Sequence, residues 1–214
     1  MVTVEVDAAG VERRLGEGLI GCPGCGGRLS GWGRARPRVV RGLEGVQRLV
    51  PRRARCRGCG VTHVLLPVFV LLRRADTVEV IGAAVAARAG GGGVRRIAAG
   101  LGRPVETVRG WLRRLAGRLE PVRGWFTAVA VGVGGDLGGG LVLPGPAGSA
   151  WADLVAAVAA AASAVAARFG LASSLERDRD RGGAGWVWRA AAAMSSGRLL
   201  APSWPVVSAG SAAS

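Results

Sequence analysis

Apolar residues change their period partway along the chain, and the change divides it. Between residues 38 and 66 they alternate or occur in short runs, at Arg38 to Val40, Gln47 to Arg55 and Val61 to Leu66, with Gly42 and Gly45 as turn signals. Short runs of β-favouring residues bounded by glycine predict strands. From Asp76 the period becomes three and four, and Val80, Ile81, Ala84, Val85 and Arg88 mark a helix that four consecutive glycines, Gly90 to Gly93, bring to an end. A second helix follows, carrying Ile97 and Leu101 four residues apart, with small Ala98 allowing close approach of a neighbour. Gly102 supplies a tight turn, Pro104 suits the first turn of the next helix, and Val108, Trp111, Leu112 and Leu115 recur as that helix's buried stripe.

Beyond residue 120 the pattern is coarser. A Gly/Pro-rich connector is expected over 121–148, then an Ala-rich helix from about Ser149 to Phe169 with Leu154, Val155, Val158, Val165 and Phe169 along one face. A further short helix is expected near Ala190 to Met194, with Trp186, Trp188 and Trp204 anchoring a core around it. The predicted class is α+β, mainly α. Its divisions are a small β unit at 18–70, a three-helix unit at 74–120, the connector, a helical C-terminal region at 149–206 and a disordered tail at 207–214.

Charge sharpens this picture. All 29 basic side chains are Arg, and the formal net charge is +15. Residues 1 to 125 hold 23 Arg against 9 acids, whereas the rest holds 6 Arg against 5 acids. A surface this lopsided attracts polyanions, and nucleic acid gains most from it because each neutralised phosphate releases condensed counterions. The start, MVTVEVDAAG, lacks the apolar segment of a secretory signal. The longest strongly apolar uncharged run, Leu154 to Ala167, is 14 residues, short of the ~20 a bilayer crossing needs. A cytoplasmic, nucleoid-associated protein without a membrane partner is expected.

The four cysteines, Cys22, Cys25, Cys56 and Cys59, form two CxxC pairs, each followed by Gly, with 30 residues between them. A two-residue spacer followed by glycine folds tightly enough to aim both thiolates at one ion, and two such knuckles complete a tetrahedral shell. Soft thiolates in a closed set favour structural Zn2+, so the β unit reads as a zinc ribbon. Disulfides, a redox CxxC and an iron–sulfur cluster compete with that assignment. A cytosolic setting, the absence of a thioredoxin-like strand–helix context and the long central spacer weigh against them. His63 follows Cys59 by four residues and is expected on the ribbon surface, where it could touch phosphate, because the shell is already full.

The helix–Gly102–helix segment reads as a helix-turn-helix. In that motif the exposed N-terminal part of the second helix enters the major groove. Val105, Glu106, Arg109, Gly110 and Arg113 are therefore candidates for base contact, with Arg109 or Arg113 suited to a guanine edge. Arg95, Arg96, Arg103 and Arg114 are assigned to phosphates, which position a protein without reading sequence. Glu106 must accept from a cytosine amino group or turn aside to pair with Arg103, Arg109 or Arg113.

Cys-Pro-Gly-Cys-Gly, the Arg-Ala-Arg-Cys-Arg-Gly-Cys-Gly block, the Val-Leu-Leu-Pro exit and the Ile-Ala-Ala-Gly-Leu-Gly-Arg-Pro…Thr-Val-Arg-Gly-Trp-Leu stretch together resemble the N-terminal regions of zinc-ribbon insertion-sequence transposases and related helix-turn-helix proteins. The resemblance spans about residues 18 to 120 and implies double-stranded DNA as ligand. It stops where such transposases continue into a nuclease domain with three metal-holding carboxylates. After residue 120 the acids are Asp136, Asp153, Glu176, Asp178 and Asp180, the last three interleaved with arginines as in a solvated loop. No catalytic residues are therefore expected, and the C-terminal helices, read first as core packing, have a homodimerisation or partner-docking unit as their functional reading. A transcriptional regulator built on the same module, a protein-interaction module and a DNA strand-transfer enzyme stand as the alternatives.

Overall fold

The computed structural model describes residues 1–134, 143–169 and 185–205. The fold is α+β. Strands β1 (Val2–Val4), β2 (Leu29–Arg34), β5 (Arg52–Cys56) and β6 (Thr62–Pro67) form a four-stranded sheet in the order β1-β6-β5-β2, while β3 (Arg38–Arg41) and β4 (Val46–Leu49) make a separate hairpin. Among the described strand pairs, β1–β6 is parallel and β5–β6, β2–β5 and β3–β4 are antiparallel.

Two of these strands and one helix lie outside the expected pattern. The β unit begins well before residue 18, because β1 joins the sheet edge and helix α1 (Ala8–Gly16) covers one face. Asp7 caps α1, its carboxylate accepting from the Ala9 and Gly10 amides at 3.0 and 2.9 Å. Three residues of strand and a nine-residue helix are too short to give a periodic signal. The Gln47 to Arg55 run is two strands, parted at Val50 and Pro51, since proline cannot donate to a ladder. Under α1 a small core gathers Val4, Val11, Leu15, Ile20, Leu29, Ala54 and Leu65 around buried Cys22 and Cys56.

The helices share a much larger core. α2 (Val78–Ala89) ends at Gly90, α3 (Val94–Gly100) and α4 (Val105–Ala116) follow, and α5 (Leu119–Gly134), α6 (Ala150–Arg168) and α7 (Gly185–Met194) complete the body. The expected connector is thus a helix through Gly134. Pro121 sits in its first turn, where a missing N–H costs nothing, and Val122, Phe126 and Ala130 are fully buried. One cluster runs from Leu71 and α2 through Trp111 and Leu115 of α4 to Leu154, Trp188, Leu199 and Trp204. The region expected at 74–120 therefore shares one core with the C-terminal helices. α2 packs so closely on α7 that a Cβ at Gly82 would overlap the Trp188 indole, and Glu79 accepts from Arg189 Nε at 2.6 Å.

The C-terminal expectations hold in part. Ser149 caps α6, and Leu154 and Val158 are buried, but Phe169 is 66% exposed; small Ala157, Ala161 and Ala162 supply the remaining contact. At 19 residues α6 is longer than the run the sequence marks out, and it is the one helix among the described residues long and apolar enough to cross a membrane by length and composition. Trp188 and Trp204 anchor the core as expected, with Trp204 edge-on to Trp125 and Phe126 at 4.9 and 5.9 Å, whereas Trp186 is half-buried and not part of that cluster. Asp136, the Glu176–Asp180 acids, connector residues 135–142 and the tail at 207–214 lie outside the described residues.

Candidate metal centre and its junction with the helices

The two CxxC segments fold alike because they carry glycine at the same offset. In each, the first cysteine's N–H donates five residues ahead, Cys22 to Gly27 O and Cys56 to Val61 O. Its carbonyl in turn accepts from the residue four ahead, Gly26 or Gly60. Those two glycines have φ of +72° and +74°, a left-handed conformation that a Cβ would strain. Gly27 also has to be small, for a Cβ there would stand 3.1 Å from Cys56 Sγ and 3.3 Å from Cys25 Sγ.

These turns bring four sulfurs together at one end of the sheet, where the start of β2 pairs with the end of β5. All four ligand atoms lie within 4.8 Å of one another. Cys22 Sγ is 3.7 Å from Cys59 Sγ, and Cys25 Sγ is 3.5 Å from Cys56 Sγ. A tetrahedral ion with metal–sulfur bonds of ~2.3 Å requires sulfurs about 3.8 Å apart, so the donor set fits a metal of that size. The cysteines are free thiols, not disulfides.

Electrostatics favour the same conclusion. The Cys59 amide, with help from the Cys25 sulfur and the Gly58 amide, holds the Cys56 thiol down at about 6. At Cys59 the Val61 amide favours the thiolate, but the neighbouring sulfurs of Cys25 and Cys56 outweigh it and push the thiol up to about 11. Four thiolates cannot ionise this close together without a cation between them.

His63 departs from the expected surface position. It is 6% exposed, with Nε2 3.4 Å from Cys22 Sγ and Nδ1 3.3 Å from the Met1 nitrogen. Burial, then the positive charge at Met1, lowers its pKa. A neutral ring that accepts at Nδ1 donates from Nε2, so His63 serves as a hydrogen-bond donor to a cysteine sulfur and takes no place in the four-sulfur set.

The sheet and the helices meet at a buried carboxylate that the sequence pattern did not single out. Asp76, 2% exposed, accepts from Arg41 Nε and Nη2 at 3.0 and 2.7 Å and from Arg103 Nε at 2.7 Å. Arg103 also donates to Gly42 O in the β3–β4 turn at 2.7 Å and to Leu101 O at 3.0 Å. Arg103, expected to contact phosphate, is thus turned inward as a clamp between the hairpin and the start of α4. Its partners are 27 and 61 residues away in sequence, beyond the reach of any local pattern. The only hint was an aspartate standing just before a helix.

The α3–α4 pair places the other candidates as follows. Gly102 has φ +60°, and Pro104 is the N-cap residue of α4. Val108, Trp111, Leu112 and Leu115 are buried against α2 and α3 as expected. Glu106, Arg109 and Arg113 are exposed on the opposite side, with Glu106 ion-paired to Arg109. Arg95 and Arg96 are exposed on α3. Val105 is half-buried against the core, and Gly110 is covered by Arg114, whose Nη1 donates to Gly110 O at 2.7 Å. Burial, then the charge of Arg114, lowers the pKa of Arg74.

Comparison with known proteins adds one match. A family model described as a domain of unknown function (DUF6431) matches residues 22–103, from the first cysteine to the clamp arginine, fewer than half of the chain. No curated protein and no solved structure matches.

Proposed function

We propose that this chain is a double-stranded DNA-binding protein in which a structural Zn2+ pins the sheet and the α3–α4 pair acts as a helix-turn-helix. The observation that carries the reading is α4 itself. Its apolar stripe is buried, while Glu106, Arg109 and Arg113 stand exposed on the other side, near a turn closed by Gly102 and locked by Arg103. A helix held by its base with an arginine-bearing face free suits the major groove.

Magnitudes decide whether the Glu106–Arg109 pair defeats this role. The pair is solvent-exposed, with side-chain exposures of 46% for Arg109 and 78% for Glu106. Such a pair is worth ~0.3–0.5 kcal/mol, less than the ~1–3 kcal/mol of a bidentate arginine–guanine contact, so Arg109 can exchange its partner on binding. Arg113 makes no ion pair among the described residues. Arg95, Arg96 and Arg114 serve as phosphate contacts in this reading, and the resemblance to transposase N-terminal regions supports an element-end or operator ligand. The four sulfurs would hold the zinc, which supplies structural cross-linking of β2, β5 and β6 and takes no part in chemistry.

Replacing both Arg109 and Arg113 by Ala tests the assignment. Sequence-specific affinity is expected to fall by ~1–3 kcal/mol for each arginine that grips a guanine, with metal content unchanged. An unaltered footprint on the preferred duplex would reject it.

A further inference from the structure

The sheet has a second face, turned away from α1. Ala54 and Cys56 of β5 point into the small core under α1, so Arg53 and Arg55, alternating with them, point the other way. The register sets Ser30 and Thr62 on either side of Arg55, and Val64 beside Arg53. Trp32, from the edge strand β2, is 52% exposed, and the Arg55 guanidinium stacks 4.9 Å from its ring centroid. Arg55 is steadied there by donating from Nε to Gly60 O at 3.2 Å. A depression lined by Ser30, Trp32 and Arg55 together with Cys56 to Gly60 of the second knuckle, Arg57 among them, lies at this pair.

The charge around it is one-sided. Residues 28–57 hold ten Arg and a single acid, Glu44. Arg41 is committed to Asp76 and Arg52 to Glu12, whereas Arg28, Arg34, Arg55 and Arg57 are exposed. An exposed indole costs solvation that a core tryptophan does not, and here it stands amid cations that seek phosphate. A polyanion with accessible flat faces satisfies both, and in a duplex the base faces are hidden by stacking. We infer that this face of the sheet binds single-stranded nucleic acid, with Trp32 stacking on an unpaired base in an arginine–tryptophan–base layer and Arg57 meeting the backbone.

This site is separate from α4 and does not rest on the duplex-binding role assigned to that helix. The test uses the full chain loaded with zinc and a fluorescein-labelled 15-nucleotide oligothymidylate, read by anisotropy. Trp32→Ala is expected to weaken binding about tenfold or more, and Trp32→Phe, which keeps a flat ring, to retain most of it. Replacing Arg57 by Ala should flatten the slope of log K against log salt by about 0.7, the value for one phosphate contact on a single strand. Zinc content and far-ultraviolet spectra of the variants confirm folding. Wild-type affinity in Trp32→Ala overturns the inference, as does displacement by a duplex of equal length with the same dependence on Trp32. Arg113→Ala should leave oligothymidylate binding unchanged; a loss there, with Trp32→Ala unaffected, would move the contact to α4 and overturn it too.

Discussion

The sheet and the helical body reach stability by different routes. The helices bury Phe126, Leu115, Leu154, Ile81, Leu199 and Leu200 almost completely in one continuous core. The sheet gathers a handful of residues under a nine-residue helix, and two of its most buried side chains are Cys22 and Cys56. Its opposite face is largely arginine and solvent. An apolar core scales with the number of large side chains it can close around, and a unit this small falls short of that number. Cys22 and Cys56 therefore sit where leucines would sit in the helical body, while Cys25 and Cys59 stand at the surface. The metal dependence proposed for the sheet accords with this composition.

The largest expected effect exploits that difference. Replacing Cys56 by Ser, or stripping metal with a chelator, should unfold the sheet while α2 to α7 stay helical. Structural zinc contributes on the order of 10–16 kcal/mol of apparent binding energy in small domains, which is as large as a whole domain's stability. Limited proteolysis checks this, and unchanged protection of residues 20–66 would show that the sheet stands without the metal. Next in size, Phe126→Ala should cost about 3–5 kcal/mol, read as a lowered denaturation midpoint with metal content intact. Loss of metal in that variant would mean that the two regions do not differ as described.

A third substitution addresses what joins the regions. Asp76→Asn removes the charge that Arg41 and Arg103 share and should cost about 2–3 kcal/mol, because two guanidiniums lose their common acceptor. Hydrogen exchange should then rise at the β3–β4 turn and the first turn of α4 together; a rise at only one of them would show that Arg103 does not couple them. The smallest expected change is that of Glu106→Gln. Freeing Arg109 from an exposed pair should alter stability by no more than ~0.5 kcal/mol while tightening duplex binding. Weaker binding would instead identify Glu106 as a base contact.

These tests also mark where sequence was informative. The cysteine spacing exposed the four-sulfur cluster because the knuckle is local: six residues contain its two cysteines, its left-handed glycine and its closing hydrogen bond. The α3–α4 pair was legible for the same reason, since Gly102, Pro104 and the Val108–Leu115 stripe all act within a few turns of helix. α5 was hidden by Gly124, Gly132 and Pro121, which read as loop residues until a neighbour buries the apolar side between them. Phe169 looked like core by composition but stands at the C-cap of α6, past the point where that helix meets its partners. The Asp76 clamp, the buried His63 and the Trp32–Arg55 stack each depend on residues more than 20 positions apart, so a pattern of period two or four carries no trace of them.

The proposed use of α4 is the central claim, and one measurement addresses it directly: selection of bound fragments from random duplex DNA by the zinc-loaded chain, followed by the salt dependence of the winners. The expected result is an enriched motif whose log affinity falls linearly with log salt and whose enrichment disappears when Arg109 and Arg113 are both Ala. A chain that carries its zinc yet enriches no duplex at low ionic strength, or enriches the same motif without those two arginines, would contradict it.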